Sequence, residues 1–138
     1  MIYGIGCDLC PTQRMAKSLG GTHGSTFAAR VFGPEERRAL GLAPGQPPAL
    51  TPHRLASAAA DFAAKEAFLK AAGTGLAGPF ALCEIQAVRL ASGAPEYRFS
   101  GQSACWMAQH GLQARLSLSH DGGMALAFCV LETAPGTP

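Results

Sequence analysis

In the stretch DFAAKEAFLKAAGTG, residues 61–75, an acid and a base stand one helical turn apart, Glu66 and Lys70. At about 100° per residue, Leu55, Phe62 and Leu69 form an apolar stripe, with Glu66 about 40° to its side and Lys70 about 40° further round. A carboxylate at the margin of a buried face is costly unless something pairs with it. Lys70 at i+4 is a suitable partner, and a Glu–Lys pair of this spacing is commonplace. A second carboxylate, Asp8, ends an alternating segment in which Ile2, Gly4, Gly6 and Asp8 share one face. Its plainest role is to cap the helix that follows. His120 closes the run RLSLSH on the face of Leu116 and Leu118, with Arg115, Ser117 and Ser119 opposite. A lone histidine is more often structural, but at a strand end beside a turn it can reach a cleft. His23, His53 and His110 carry no usable signal.

Two carboxylates, a lysine, a histidine and a glycine turn would suit a magnesium–phosphate site, because magnesium is commonly held by one or two carboxylates plus substrate phosphates. Spacing alone does not show that they meet. GTGLAG matches GxGxxG at Gly73, Gly75 and Gly78. It follows a helix, however, where a dinucleotide site would follow a strand and open a helix. What remains is a glycine turn expected to expose backbone N–H groups.

The elements that must position these residues follow from periodicity and punctuation. A length of 138 residues, 48% of them hydrophobic and 14% charged, fits one packed domain. We place it at residues 1–133, with a disordered tail over 134–138. The two glycines of the first strand leave room for another backbone or a ligand. Residues 11–41 read as short helices broken at Gly20-Gly21 and Gly33-Pro34, followed by a Pro/Gly-rich loop over 41–50. A long helix begins with Thr51 as N-cap and Pro52 in its first turn, and stops at Gly73. CEIQAVRL and EYRF read as strands joined by SGAP, then SACWMAQHG as a short helix. ARLSLSH and MALAFCVLE read as strands of a hairpin turning at Asp121-Gly122-Gly123. The last strand is apolar on both faces and belongs deep within a sheet. Helices first and antiparallel strands later define an α+β domain, an antiparallel sheet packed with a long central helix.

A net charge of +2 is too small to argue for nucleic acid. The segment MIYGIGCDLC has neither a basic start nor a long apolar run, and no stretch elsewhere is long enough to span a membrane. A cytoplasmic location is expected. Cys7 and Cys10 form a lone CxxC that no second ligand pair completes, so reduced structural cysteines are the better reading. Five basic residues between Arg14 and Arg38 (with Lys17, Arg30 and Arg37) face only two acids, Glu35 and Glu36. Such a run is usually a solvated face.

Three blocks nevertheless carry a resemblance to the small, single-repeat class of 4′-phosphopantetheinyl transferases, the holo-[acyl-carrier-protein] synthases. GIGCDLCPTQRM resembles the family's opening GIGxDxxxxxRI, FAAKEAFLKAAGTGL its FAAKEAFxKAxGTGI, and LSLSHDGGMALAFCV its xSxSHxxxxAxAxVV. The middle block is long and specific. The resemblance implies the 4′-phosphopantetheinyl transferase fold and transfer of phosphopantetheine from coenzyme A to a serine of an apo-acyl carrier protein in fatty acid biosynthesis, releasing adenosine 3′,5′-bisphosphate. It further implies that Asp8 and Glu66 hold Mg2+ against the pyrophosphate, that Lys70 and His120 meet phosphate, and that Gly73, Thr74, Gly75 and Ser119 line the nucleotide. Arg14 and Lys17 would meet the acidic carrier protein, in a homotrimer with sites between subunits. On this reading Glu66, directly or through a metal-bound water, directs proton removal from the carrier serine.

Two departures concern coenzyme A. Asp61 stands where the family usually has an arginine that often reaches a phosphate, and Ala94 replaces a basic residue in the sheet turn. Activity with weaker coenzyme A binding is expected. The rival readings are a non-catalytic trimeric coenzyme A or nucleotide-binding module, a metal-dependent phosphohydrolase acting on coenzyme A, and a plain structural protein.

Overall fold

The computed structural model describes residues 1–136 apart from Gln46 and Ala77. Its centre is a helix, α4 (Pro52–Ala72), preceded by β1 (Ile2–Pro11) and three short helices, α1 (Thr12–Gly20), α2 (Gly24–Val31) and α3 (Pro34–Ala39). After it come β2 (Ile85–Arg89), β3 (Pro95–Phe99), α5 (Gly101–Gln109), β4 (Leu112–Asp121) and β5 (Met124–Thr133). The order is that of an α+β domain.

The signals that bound α4 act as anticipated. Thr51 Oγ1 accepts from the Arg54 N–H at 3.2 Å, and Pro52 occupies the first turn. Gly73 ends the helix in the left-handed conformation at φ 77°, its N–H returned to the carbonyls of Leu69 and Lys70. The narrow apolar stripe is a correction. From Ala58 to Ala71 nearly every residue of α4 is buried, including Asp61 and Lys65. Alanine makes this possible, because a helix with methyl groups on all sides can be covered from all sides.

On one side α4 lies against β1. A Cβ added to Gly4 would stand 2.0 Å from the Ala71 carbonyl oxygen, and one at Gly6 would stand 2.1 Å from that of Ala67. The two glycines thus serve backbone-to-backbone packing, one of the two uses foreseen for them. β1 runs to Pro11, past the expected end, so Pro11 precedes the helix instead of opening it.

β1, β5 and β4 form one antiparallel sheet in that order, with β5 in the centre. The β4–β5 hairpin turns through Gly122 at φ 56° and Gly123 at φ 77°, as a tight two-residue turn requires. β5 is central, as expected, but the burial expected of both its apolar faces is corrected: only one face is buried. Ala125, Ala127, Cys129 and Leu131 are buried, whereas the alternate residues Leu126 and Phe128 are 40% and 42% exposed.

The remaining strands form a separate two-stranded sheet, β2–β3, rather than extending the first. It docks on α4 through the Lys65 ammonium, bonded to the Ile85 carbonyl, and the Tyr97 hydroxyl, bonded to that of Ala64. Cys83 and Glu84, expected in the strand, lie in a 3₁₀ turn over Leu82–Glu84, and the ladder starts at Ile85. Phe68 gathers Phe80, Tyr97, Phe99 and Trp106 into an aromatic core between α4, this hairpin and α5. Ala134 donates to the Gly111 carbonyl at 2.8 Å, which holds the chain just past β5. Thr137 and Pro138, the end of the expected tail, lie outside the described residues.

Candidate functional site

β1 and α4 bring Asp8, Glu66 and Lys70 together. Asp8 is on the inner face of β1, where the Gly4 and Gly6 contacts let α4 approach closely enough for its side chains to meet. The Lys70 ammonium bonds Asp8 Oδ1 at 3.1 Å and the Cys7 carbonyl at 2.9 Å. The boundary pair expected between Glu66 and Lys70 is therefore replaced by a pair between Lys70 and Asp8. Asp8 does not cap α1 either; the cap position is Pro11, with no side-chain bond.

Glu66 is half-buried beside Asp8, and its carboxyl is held above the ordinary range, first by burial and then by the Asp8 carboxylate. Arg14 and Lys70 pull the other way. Lys70 in turn is raised by its bond to Asp8. Asp8 Oδ2 is buried with no hydrogen-bond partner. Two carboxyls held side by side, one with an orphaned oxygen, form a donor set that a hard cation fits, since it would satisfy the oxygen and neutralise the repulsion. Among the described residues no group of three or more His, Cys, Asp and Glu side chains is placed to hold a metal, so the fit is to an ion completed by water and substrate oxygens. Cys7 and Cys10 cannot add to it as a pair. Three residues apart in a strand they point to opposite faces; Cys7 is exposed, and Cys10 is buried with its thiol pushed up to about 11 by burial.

Glu66 opens onto a cleft of 870 Å³ whose walls include Arg14, His23, Arg30, Phe62 and Leu76. The Arg14 guanidinium lies 4.7 Å from the centre of the Phe62 ring. Arg14, Lys17 and Arg30 are exposed, and among the described residues none of them is in an ion pair.

The glycine turn differs from expectation. The N–H groups of Gly73, Thr74 and Gly75 point back to the carbonyls of Lys70 and Leu69 at 3.1, 3.2 and 3.5 Å. They cap the helix and are not free to bind phosphate. Thr74 Oγ1, by contrast, is buried without a partner.

His120 is not brought to the carboxylates within one chain. The register places it opposite Ala125, which pairs with Cys10, so it shares the inner face with Asp8 but stands two strands away, about 10 Å across the sheet. It is exposed and makes no hydrogen bond among the described residues. Ser119 points to the outer face, where the register carries it across Leu126 to Leu9.

Sequence reading missed a buried ionic cluster behind the site. Lys65, fully buried, bonds Glu36 and the Ile85 carbonyl; Glu36, 1% exposed, also accepts the N–H groups of Gly33 at 2.9 Å and Ala87 at 3.1 Å. Asp61, one turn before Lys65, pairs with Arg89 at 2.8 Å. Glu36 was legible only as a favourable first-turn acid, and nothing in FAAKEAF distinguishes Lys65 from a surface lysine.

A helix packed on glycine-bearing β1, two antiparallel sheets and a carboxylate pair beside a lysine at a cleft define the class as an α+β protein with a polar site between helix and strand, and comparison supplies the family. Residues 4–129 match the family model of the 4′-phosphopantetheinyl transferase superfamily, to which the chain belongs. Within it, the likeness is to holo-[acyl-carrier-protein] synthases. The chain is 39% identical to that of Ralstonia nicotianae over 95% of its own length and 92% of the relative's. The crystal structure of the Neisseria meningitidis enzyme superposes with a TM-score of 0.79 at 36% identity, covering 96% of this chain and 100% of that one. The Bacillus anthracis enzyme, in complex with CoA (3′,5′-ADP), superposes with a TM-score of 0.76 at 28% identity over 97% and 99% of the two chains. The protein is thus a transferase of this family. No helix among the described residues is long and apolar enough to cross a membrane.

Proposed function

We propose that the protein transfers 4′-phosphopantetheine from coenzyme A to a serine of an apo-acyl carrier protein, in fatty acid biosynthesis in the cytoplasm, with release of adenosine 3′,5′-bisphosphate. The observation that carries this is the Asp8–Glu66 carboxyl pair with its orphaned Oδ2, with Lys70 bonded to Asp8, at the edge of a cleft. The CoA (3′,5′-ADP) in the Bacillus anthracis complex supports the choice of donor.

Asp8 and Glu66 would hold Mg2+, which when bound neutralises charge on the pyrophosphate and on the departing phosphate. Lys70 is 56% exposed at its side chain and can turn from Asp8 toward a phosphate without loss of burial. The carrier serine must lose a proton as its oxygen forms the bond to phosphorus and the bond to the leaving phosphate breaks. Glu66, at the edge of the cleft, would direct that proton transfer. Arg14, in the wall of the cleft, and Lys17, exposed further along α1, suit an acidic carrier helix.

His120 and Ser119 enter through assembly. The outer face of the β1–β5–β4 sheet exposes Ile5 (59%), Leu9 (56%) and Phe128, an apolar surface of the kind that marks an interface. In a homotrimer built on that face, a neighbouring copy would bring His120, Ser119 and the Thr74 turn to complete the coenzyme A site.

Intact-mass spectrometry of an apo-acyl carrier protein with this chain, coenzyme A and magnesium tests the reading. A gain of one phosphopantetheine is expected, lost in the Glu66→Gln variant and without metal. No gain with coenzyme A consumed would indicate hydrolysis instead; no gain with coenzyme A bound and intact would indicate a binding module.

A further inference from the structure

Glu66 must point one way for the site to exist. Phe68 keys α4 into the aromatic core on one side, but most of the other buried residues of the helix are alanines, whose small methyls give little direction of their own. A rotation of about 10° would move a carboxylate about 6 Å from the helix axis by about 1 Å, and displacements of that size at a reacting centre cost up to about 100-fold in rate. Away from Phe68, directional contacts are needed to hold the rotation that closely. On the β1 side these are the Gly4 and Gly6 approaches to the Ala71 and Ala67 carbonyls.

On the β2 side the contacts are ionic, and nothing in the transfer chemistry uses them. Lys65 precedes Glu66, so it leaves the helix about 100° away. Its ammonium is held by a carboxylate and a carbonyl from two other elements, Glu36 of α3 and Ile85 of β2. Glu36 is itself fixed by the Gly33 and Ala87 N–H groups. One turn earlier, Asp61 binds Arg89 at the other end of β2. One turn apart, a lysine–carbonyl bond and an ion pair thus join α4 to β2, and the Lys65–Glu36 pair joins it to α3. Apolar residues of similar volume often replace such a buried pair without loss of stability, so stability alone is a weak reason to place Lys65 and Glu36 there.

We propose that Lys65 and Glu36 are positioning residues for Glu66: their bond sets the rotation of α4 and so the approach of the Glu66 carboxyl to Asp8. This rests on the transfer reading above. Glu36→Leu with Lys65→Met removes both charges at similar volume, and leaves the Gly33 and Ala87 N–H groups and the Ile85 carbonyl without these side-chain partners. The double variant is therefore expected to fold but to melt lower than the parent. Its kcat for carrier-protein modification should fall at least about tenfold while KM for coenzyme A stays within about threefold. Its affinity for Mn2+, followed by electron paramagnetic resonance with coenzyme A present, should weaken by about tenfold. A folded double variant with parental kcat and Mn2+ affinity overturns the proposal, because a merely structural pair would move melting alone. Should the double variant not fold, Glu36→Gln keeps an acceptor for Lys65 while weakening its hold. Its kcat should fall at least about threefold at unchanged KM, and parental kcat would again overturn the proposal. A parent that binds Mn2+ but modifies no carrier protein sinks the transfer reading instead, and the Mn2+ affinities then decide positioning by themselves.

Discussion

The Asp61 carboxyl is pushed up to about 7, by burial first and then by the Glu36 carboxylate, against the pull of Arg89 and Lys65. A carboxyl raised in the folded state binds its proton more tightly there than in the unfolded chain, where 3.8 is the ordinary value. Its contribution to stability is therefore full below the ordinary value and is lost as pH rises through the folded one, at no more than about 1.4 kcal/mol per pH unit. Asp61→Asn should flatten the stability curve between pH 4 and 7, as read by urea denaturation across that range. An unchanged slope would show that burial is not what governs this group. Asp61 was recognisable in the sequence as a departure from the family. Its ion pair with Arg89, 28 residues away, was not, because no local pattern links a helix residue to a strand that far along the chain.

At the scale of elements, the joint between β1 and α4 depends on residues with no side chain. The sequence shows two glycines on the face of Asp8, and the structure shows why: the helix carbonyls occupy the space a methyl group would need. Gly6→Ala would set a Cβ 2.1 Å from the Ala67 carbonyl oxygen, so one element must move. A loss of roughly 1–3 kcal/mol is expected from such overpacking. Because Asp8 and Glu66 sit on the two displaced elements, activity should fall further than the lost stability explains. Thermal melting and carrier modification measured on the same sample check both parts; a Gly6→Ala protein with parental values would contradict the close approach. The caps of α4 were legible because they are local chemistry. Its all-round burial was not, because alanine carries no period to read.

The whole molecule leaves one face unfinished. β1 and β5 turn Ile5, Leu9, Leu126 and Phe128 outward, all at least 40% exposed. The proposed homotrimer, joined there, would account for His120 standing apart from the carboxylates in one chain. Phe128→Glu, in the middle of that face, should give monomers by sedimentation equilibrium, with secondary structure kept and carrier modification reduced at least about tenfold because the site loses its second half. Full activity from a monomer would remove assembly from the account of the site.

Local rules in the sequence determined much of this protein. Thr51, Pro52 and Gly73 bounded the central helix, Gly122 and Gly123 the hairpin, and the alternation in β1 set Asp8 on the inner face. The three motif blocks identified the family, which the comparisons then showed. Tertiary structure alone decided which charges meet. Lys70 turned to Asp8 rather than to Glu66, Lys65 was buried against Glu36, and the glycine-turn N–H groups went to helix carbonyls. The reason is physical: caps and turns depend on a few adjacent residues, whereas the partner of a charge depends on which distant elements pack beside it and which polar groups they leave to be satisfied.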